Sequence, residues 1–275
     1  MSRTTDLRTI RAVAFDLDDT LLRDDLSISD NTVHVLRGLF AAGWQIIPAS
    51  GRAKLSMKPF VDRLDCASLY IACNGAEIWD GRTHELLHAE SFSAELGREI
   101  AAFGNAHHCY SQTYAGDCFY FSKHSVWAER YASASMLRGV FVGDLTRFIR
   151  EPRNKILMMA EESKIAAMLA EARALFAGRA SVTCSKPWFL EFNPLRATKG
   201  IALRYAADHL SLKPENVIAF GDGLNDLPML EAAGWSVAMA NGQDALKAAS
   251  DDVCASNQED GVAGYLAARF GEVLA

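Results

Sequence analysis

The chain has 275 residues, and 28 basic against 34 acidic side chains give it a formal net charge of −6. Half of the residues are apolar and 23% are charged, the balance of an ordinary globular protein. The acidic balance argues against nucleic acid as the main partner, because phosphate neutralisation needs a basic face. No apolar run approaches the roughly 18 residues of a membrane span. We therefore expect neither nucleic acid nor a membrane as a partner.

The opening segment and the cysteines bear on the compartment. Acidic residues begin at Asp6, too early for the apolar stretch of a secretory signal, so we expect a cytoplasmic protein. No Cys-x-x-Cys pair is present, and we expect reduced, mostly buried thiols rather than a disulfide framework. The six are Cys66, Cys73, Cys109, Cys118, Cys184 and Cys254.

Strands and helices alternate in the first part of the chain. A β-prone run at residues 10–15 ends in DLDDT at residues 16–20. A helix is predicted next, because Ser29 and Asp30 offer N-cap oxygens, apolar residues recur at helical spacing and Gly43 supplies a stop. Residues 44–49 and 69–73 are predicted strands around a helix at residues 52–64, which Pro59 must kink or interrupt. This alternation predicts a parallel sheet covered on both faces.

The pattern changes after about residue 82 to aromatic-rich, hairpin-like segments. Helices are predicted over residues 93–105, 126–137 and 162–176, and strands over residues 118–122, 155–160, 180–184 and 188–192. Four aromatic residues of this section could line a sugar pocket, but we favour core packing for Tyr110, Tyr114, Tyr120 and Trp127.

The first pattern returns at residue 198. A helix to residue 209 is followed by a buried strand at residues 217–220, which ends in GDGLND at residues 221–226, then by a helix and a strand at residues 235–239. The simplest arrangement is an α/β fold, with a Rossmann-like parallel-sheet core and an inserted α+β cap domain. We expect the core to hold residues 1–82 and 191–275, and the cap domain residues 83–190.

Three neighbouring residues in the inserted section could suggest a zinc site. His107, His108 and Cys109 are adjacent, but adjacent histidines point to opposite faces of a strand. No second ligand pair with finger-like spacing follows. We interpret this segment as a strand of the cap domain that holds no metal.

Polar clusters follow the predicted strands of the core. Asp16-x-Asp18, Ser50-Gly51 and the GDG at residues 221–223 stand where parallel strands deliver ligand-binding loops, and Lys199 opens a helix. Carboxylates that converge there repel one another unless a cation joins them, and Mg²⁺ suits oxygen ligands best. Ser50, an amide and a lysine also describe a phosphate pocket. The residues alone therefore indicate a Mg²⁺-dependent site for a phosphorylated molecule.

The order of these segments resembles a known family. DLDDT at residues 16–20, ASGR at 49–52, TKG at 198–200 and GDGLND at 221–226 are similar to the four motifs of the haloacid dehalogenase superfamily. The long insertion resembles that of its Cof-type subfamily of sugar-phosphate phosphatases, as do NGA at residues 74–76 and FLEFNP at 189–194. The resemblance covers nearly the whole chain, from about residue 13 to about residue 261.

The resemblance implies a role for each matching residue. Asp16 is the expected nucleophile, which forms an aspartyl-phosphate, and Asp18 protonates the leaving alkoxide and then activates water. Mg²⁺ is expected on the Asp16 side chain, the Asp18 main-chain carbonyl and the Asp222 carboxylate. Asp226 is expected to orient the metal site from behind these ligands.

The resemblance also implies a set of phosphate contacts. Lys199 is expected to act in catalysis as well as in this binding. Thr20 is expected to close the loop after the nucleophile, and Asp19 stands where the motif often has glycine without disturbing any of these roles. For Arg52, a structural role and a phosphate contact are equally open. The expected phosphate ligands are the Leu17 amide, Ser50, the Gly51 amide, Lys199 and Asn225.

The leading hypothesis is Mg²⁺-dependent hydrolysis of small phosphomonoesters, with sugar phosphates as the favoured class and a small phosphorylated metabolite as the partner. One alternative is a phosphotransferase or mutase that uses the same intermediate. Another is a non-catalytic sugar-phosphate sensor, against which the intact residues Asp16, Asp18, Lys199 and Asp222 argue. Metal-free dehalogenation has no use for Asp18 or Asp222. The sequence leaves the exact substrate and the oligomeric state open.

Overall fold

The chain divides into two compact units. The computed structural model describes residues 6–116, 118–135 and 137–274. One unit holds the described residues of Met1–Gly51, Met57–His88 and Thr198–Ala275, and the other holds those of Arg52–Ser56 and Ala89–Ala197. We predicted boundaries after residues 82 and 190, whereas the units divide after His88 and after Ala197.

Strands and helices alternate along the described residues. The strands are β1 (Ala12–Phe15), β2 (Gln45–Pro48), β3 (Leu69–Ala72), β4 (Glu77–Asp80), β5 (Leu86–Ala89), β6 (Tyr110–Ala115), β7 (Cys118–Phe121), β8 (Arg138–Phe141), β9 (Ile156–Met159), β10 (Ser181–Thr183), β11 (Phe189–Asn193), β12 (Val217–Gly221), β13 (Trp235–Met239) and β14 (Asp252–Cys254). The helices are α1 (Asp30–Ala41), α2 (Lys54–Leu64), α3 (Ala94–Ala106), α4 (Val126–Ser135), α5 (Leu145–Phe148), α6 (Glu162–Leu175), α7 (Lys199–His209), α8 (Leu227–Ala232), α9 (Asp244–Ala249) and α10 (Gly261–Leu274).

A five-stranded parallel sheet forms the centre of the first unit, in the order β14-β13-β12-β1-β2. Successive residues of β1 enter different clusters of the core: Val13 and Phe15 pack in one, Ala12 and Ala14 in the other. Both faces of the sheet are therefore buried, which confirms the predicted parallel core. β3, β4 and β5 form a separate three-stranded sheet, and all of β5 except its last residue, Ala89, belongs to this unit, so the boundary lies beyond residue 82.

Side-chain caps fix where two helices of the first unit begin. The hydroxyl oxygen of Ser29 accepts a hydrogen bond from the Thr32 amide at 3.0 Å, and that of Thr198 accepts one from the Ile201 amide at 3.2 Å. The second cap sets Lys199 in the first turn of α7. Pro59 lies inside α2, so of the two expectations for this proline, a kink or a helix boundary, the structure excludes the boundary.

The second unit is built on a six-stranded sheet in the order β10-β11-β9-β6-β7-β8, antiparallel except for the pair β7–β8. β11 continues to Asn193 within this sheet, which moves the second boundary beyond residue 190. Tyr110 and Tyr114 are buried in one core cluster of the unit. This α+β unit confirms the fold class predicted for the inserted domain.

Of the three adjacent residues considered as a zinc site, His107 and His108 lie in a turn, and Cys109 lies between that turn and β6, so the predicted strand is wrong. His107 ends α3, and His108 has a φ of 49° before the chain enters β6. The His107 ring lies 3.2 Å from a carboxylate oxygen of Glu171, and the Cys109 thiol donates to the carbonyl oxygen of Met159. All six cysteine thiols are free. Among the described residues, every helix is too short or too polar to cross a membrane.

The contact between α7 and α8 leaves no room at Gly200. A Cβ there would lie 2.2 Å from the carbonyl oxygen of Pro228. We expect Gly200→Ala to lower the free energy of unfolding by about 1–3 kcal/mol, because the helices must separate.

Denaturant unfolding measures this loss, with Gly264→Ala in α10 as the matched control. Among the described residues no atom lies within 4 Å of a Cβ at Gly264, so that substitution should stabilise the helix by about 0.5–1 kcal/mol. Equal effects of the two substitutions would contradict the close packing of α7 on α8.

Candidate active site

Three neighbouring strands deliver the predicted motifs to one edge of the central sheet. Phe15, the last residue of β1, pairs with Pro48 of β2 on one side and with Phe220 of β12 on the other. Asp16 follows directly, while Ser50 and Asp222 follow the adjacent strands. Because the strands are parallel, all three segments leave at their carboxyl ends, where such sheets bind ligands.

The turn after β1 is closed by its own backbone and tied to the GDGLND segment. The Leu22 amide donates to the carbonyl oxygen of Leu17 at 2.8 Å, and Asp19 has a φ of 58°. Thr20 then lies close enough for its hydroxyl to donate to Oδ1 of Asp222 at 3.1 Å. Thr20 therefore connects the loop after the predicted nucleophile to a predicted metal ligand.

Lys199 is fully buried and pairs with two carboxylates. Its Nζ donates to Oδ1 of Asp16 at 2.6 Å and to Oδ1 of Asp226 at 2.5 Å. The three side chains have exposed fractions of 0%, 8% and 0%. The first turn of α7 thus supplies a cation that neutralises acids from the ends of β1 and of the GDGLND segment.

Asp226 uses both of its oxygens within the protein. Oδ1 binds Lys199, and Oδ2 accepts hydrogen bonds from the amides of Asp222 and Gly223, each at 3.0 Å. Its carboxylate therefore shapes the turn after β12 and fixes the position of the Lys199 ammonium. We predicted that Asp226 orients the metal site; these contacts show what it holds.

The buried acids have perturbed pKa values. Burial raises the pKa of Asp16 well above its usual range, and the charge of Asp226 adds to this while Lys199 opposes it. Burial, again with the charge of Asp226, raises the pKa of Asp222 to about 6. Burial alone would lower the pKa of Lys199, but the charges of Asp16 and Asp226 raise it, so the ammonium stays protonated. Burial is thus the main cause of both raised carboxyl pKa values, and the neighbouring negative charge of Asp226 adds to it.

The donor set fits a hard divalent cation. Asp16, Asp222 and Asp226 each place a carboxylate oxygen within 4.8 Å of the other two. Because Asp226 is engaged by Lys199 and two amides, Asp16 and Asp222 are the acids suited to bind the ion. Asp18 is half-buried, and its charge also raises the Asp16 pKa. An all-oxygen site of this kind matches Mg²⁺.

The predicted phosphate ligands lie on the same unit. Ser50 is 1% exposed, and its amide donates to the carbonyl oxygen of Ile71 at 2.9 Å. Asn225 is half-buried, and a Cβ added to Gly223 would lie 2.6 Å from its Oδ1, so this amide packs over the turn. Leu17 has a fully buried side chain. Leu17 and Asn225 lie in the segments that carry Asp16 and Asp222, and Ser50 and Gly51 follow the neighbouring strand β2.

Two segments that contact the predicted site were not predicted from the sequence to take part in it. The loop between β3 and β4 contacts the Ser50 segment: the Asn74 amide donates to the carbonyl oxygen of Ser50 at 3.0 Å. Asn241, after β13, donates from Nδ2 to the carbonyl oxygen of Asp19 at 2.7 Å. An Asn-Gly pair directly after a strand is a sequence signal for the first loop; the second shows no comparable signal.

Comparisons with known proteins identify the family of the chain. The family model of haloacid dehalogenase-like hydrolases matches residues 13–266. The chain is 31% identical to the 5-amino-6-(5-phospho-D-ribitylamino)uracil phosphatase YitU of Bacillus subtilis (strain 168), with 94% of this chain and 97% of that protein covered. It is 27% identical to the pyridoxal phosphate phosphatase YbhA of Escherichia coli (strain K12), over 94% of this chain and 98% of that one.

The similarity extends to the fold of a solved structure. A haloacid dehalogenase-like hydrolase from Bacteroides thetaiotaomicron superposes with a TM-score of 0.87 at 27% identity, over 95% of this chain and 100% of that one. The family match spans both units described above. The chain therefore belongs to the haloacid dehalogenase-like hydrolases and is an enzyme of their phosphatase type.

Proposed function

We propose that this protein hydrolyses small phosphomonoesters, with sugar and polyol phosphates as the favoured class, through an aspartyl-phosphate on Asp16 and with Mg²⁺ as cofactor. The observation that carries the proposal is the buried group Asp16–Lys199–Asp226 beside Asp222 at the strand ends. The relatives named above act on phosphate esters of small molecules, one of them with a ribityl chain.

Asp16 has the position and surroundings of a nucleophile. Its carboxylate follows β1 directly, and Oδ1 is held by Lys199 at 2.6 Å. This contact fixes the orientation of the carboxylate and favours its ionised form, which burial opposes. In the first step an Asp16 oxygen forms a bond to phosphorus as the bond from phosphorus to the ester oxygen breaks.

Asp18 completes the proton transfers. Its proton passes to the departing alkoxide, so that the leaving group departs as a neutral alcohol. Asp18 then takes a proton from water, whose oxygen bonds to phosphorus and releases the Asp16 carboxylate. Ser50, the Gly51 amide, the Leu17 amide and Asn225 are proposed to hold the phosphoryl oxygens during both steps.

The proposed metal ligands are the side chains of Asp16 and Asp222 and the main-chain carbonyl of Asp18. When bound, Mg²⁺ supplies positive charge that lets a carboxylate approach a phosphate anion. Lys199 neutralises part of the acid cluster from the other side, and Thr20 orients the Asp222 carboxylate through its hydroxyl.

Replacing the nucleophile tests the proposal directly. Asp16→Asn keeps the shape of the side chain but removes its nucleophilic charge, so Mg²⁺-dependent release of phosphate from an aryl phosphate and from a sugar phosphate should fall by several orders of magnitude. The variant should stay folded, because removing one of several clustered negative charges relieves repulsion; circular dichroism provides that check. Turnover that survives the substitution would exclude Asp16 as nucleophile.

Hydrolysis in ¹⁸O-labelled water separates the phosphatase from its alternatives. Only hydrolysis places a water oxygen in the released phosphate, whereas a mutase or phosphotransferase delivers the phosphoryl group to a sugar hydroxyl. A sensor instead shows raised melting temperature with phosphate esters and no turnover across a broad panel.

Removing the buried cation should cost both stability and activity. Lys199→Met leaves Asp16 and Asp226 without their common partner, so we expect a loss of about 3–5 kcal/mol in the free energy of unfolding and little residual phosphatase activity. Lys247→Met is the control, since Lys247 pairs with the fully exposed Asp244 and should contribute about 0–1 kcal/mol. Similar stability losses in the two variants would argue against a buried ion-pair role for Lys199.

The Mg²⁺ requirement should depend on pH. Since the Asp222 pKa is raised to about 6, protons compete with the metal for this carboxylate as the pH falls through that value. We expect the Mg²⁺ concentration for half-maximal activity to rise by up to about tenfold per pH unit below it.

Mg²⁺ titrations of the activity at several pH values measure this competition. Thr20→Val removes a hydrogen bond that lowers the Asp222 pKa, so the variant should need more Mg²⁺ than the unmodified enzyme at the same acidic pH. If the half-maximal Mg²⁺ concentration did not change with pH, Asp222 would be excluded as a metal ligand.

A further inference from the structure

The loop between β3 and β4 is joined to the phosphate-binding segment by its backbone. The Ser50 amide donates to the carbonyl oxygen of Ile71 at 2.9 Å, and the Ser50 carbonyl oxygen accepts a hydrogen bond from the Asn74 amide at 3.0 Å. These two bonds hold Ser50 from both sides of its peptide unit. The loop therefore determines where Ser50, and Gly51 after it, present their polar groups.

The other side of the same loop packs on the segment that carries Lys199. A Cβ at Gly75 would lie 2.4 Å from the carbonyl oxygen of Thr198, so only glycine allows this approach. Cys73, Asn74 and Gly75 have consecutive φ values of 51°, 57° and 103°. Such a run is unfavourable for side-chain-bearing residues, and strain of this kind is concentrated at functional sites.

The Asn74 side chain is buried, and its hydrogen bonding is incomplete. It is 7% exposed, and among the described residues its Oδ1 has no hydrogen-bond partner. A Cβ added to Gly51 would lie 3.0 Å from that Oδ1, so the amide occupies the space beside Gly51. A residue that served folding alone would pair this oxygen, because an unpaired buried acceptor lowers stability.

We propose that Asn74 is a positioning residue for the phosphate-binding segment. Its amide packs against Gly51 and its backbone holds Ser50, so that the Gly51 N–H and the Ser50 hydroxyl face the phosphoryl group in a fixed orientation. The inference rests on the proposed phosphatase function and deepens it, since it adds a residue outside the four motifs to the recognition of phosphate.

Asn74→Gly isolates the contribution of the amide. Glycine accepts the left-handed backbone at this position, so the substitution removes the side chain without adding backbone strain. We expect KM for a phosphomonoester and the inhibition constant of inorganic phosphate to rise together by about tenfold or more. A merely structural role would lower kcat through the folded fraction and leave both constants unchanged, and that result would overturn the inference.

Ser211→Gly is the matched control. Ser211 is exposed, has a φ of 57° and follows α7 away from Gly51, so its replacement by glycine makes the same backbone change outside the site. KM and the inhibition constant should stay within twofold of the unmodified protein, about the precision of such measurements.

A double-mutant cycle provides the second test, should Asn74→Gly fold poorly. Gly51→Ala introduces a methyl group against Asn74 Oδ1, and the three atoms nearest to that methyl group all belong to the Asn74 side chain, so Asn74→Gly removes them. The two losses in kcat/KM should therefore be far from additive. Additive losses would overturn the proposed contact.

Titration calorimetry with inorganic phosphate and Mg²⁺ separates failure of this inference from failure of the proposed function. An unmodified protein that binds phosphate without turnover would contradict the proposed hydrolysis alone, and weaker binding by Asn74→Gly would still support Asn74. Equal binding by both proteins, or none by the unmodified protein, would overturn the inference.

Discussion

One buried ammonium group holds together segments that are far apart along the chain. Lys199 donates to Asp16, which lies 183 positions away, and to Asp226, and none of the Lys199 side chain is exposed. An uncompensated buried carboxylate lowers stability, so neither acid could be both buried and ionised here without a cation. The end of β1 and the turn after β12 therefore depend on the position of α7.

The position of α7 is in turn determined by small residues and a cap. Thr198 caps the helix, Gly200 lets it approach α8, and Gly75 lets the loop after β3 approach Thr198. A cation in the first turn is disfavoured by the helix dipole, which attracts anions there. The two carboxylates offset this cost, so the placement of Lys199 is explained by the site and not by helix formation.

The sequence allowed the main elements of the fold to be predicted because the buried strands are short apolar runs bounded by polar turns. β8, α5, α9 and β14 were not predicted, since they are only three to six residues long and carry little periodicity. The 14-residue helix α10 was not predicted either. The first domain boundary was placed too early because β5 alternates weakly in polarity and its place beside β4 depends on tertiary pairing. His107 and His108 were assigned to a strand because the turn between α3 and β6 contains no glycine, although His108 has a φ of 49°.

The site was predictable to the level of which segments meet, because parallel strands deliver their carboxyl ends to one edge. The hydrogen-bond partners of each carboxylate oxygen could not be predicted. The GDGLND segment contains two aspartates, and the geometry of its turn decides which of them binds Lys199 and the two amides. Asp226 receives Lys199 and two amides, and this leaves Asp222 as the acid open to a metal ion. Burial raises the pKa values of Asp16 and Asp222, and the charge of Asp226 raises them further. One lysine cannot balance the three clustered acids Asp16, Asp222 and Asp226. That excess is the physical reason to expect a divalent cation here, and it is independent of any family resemblance.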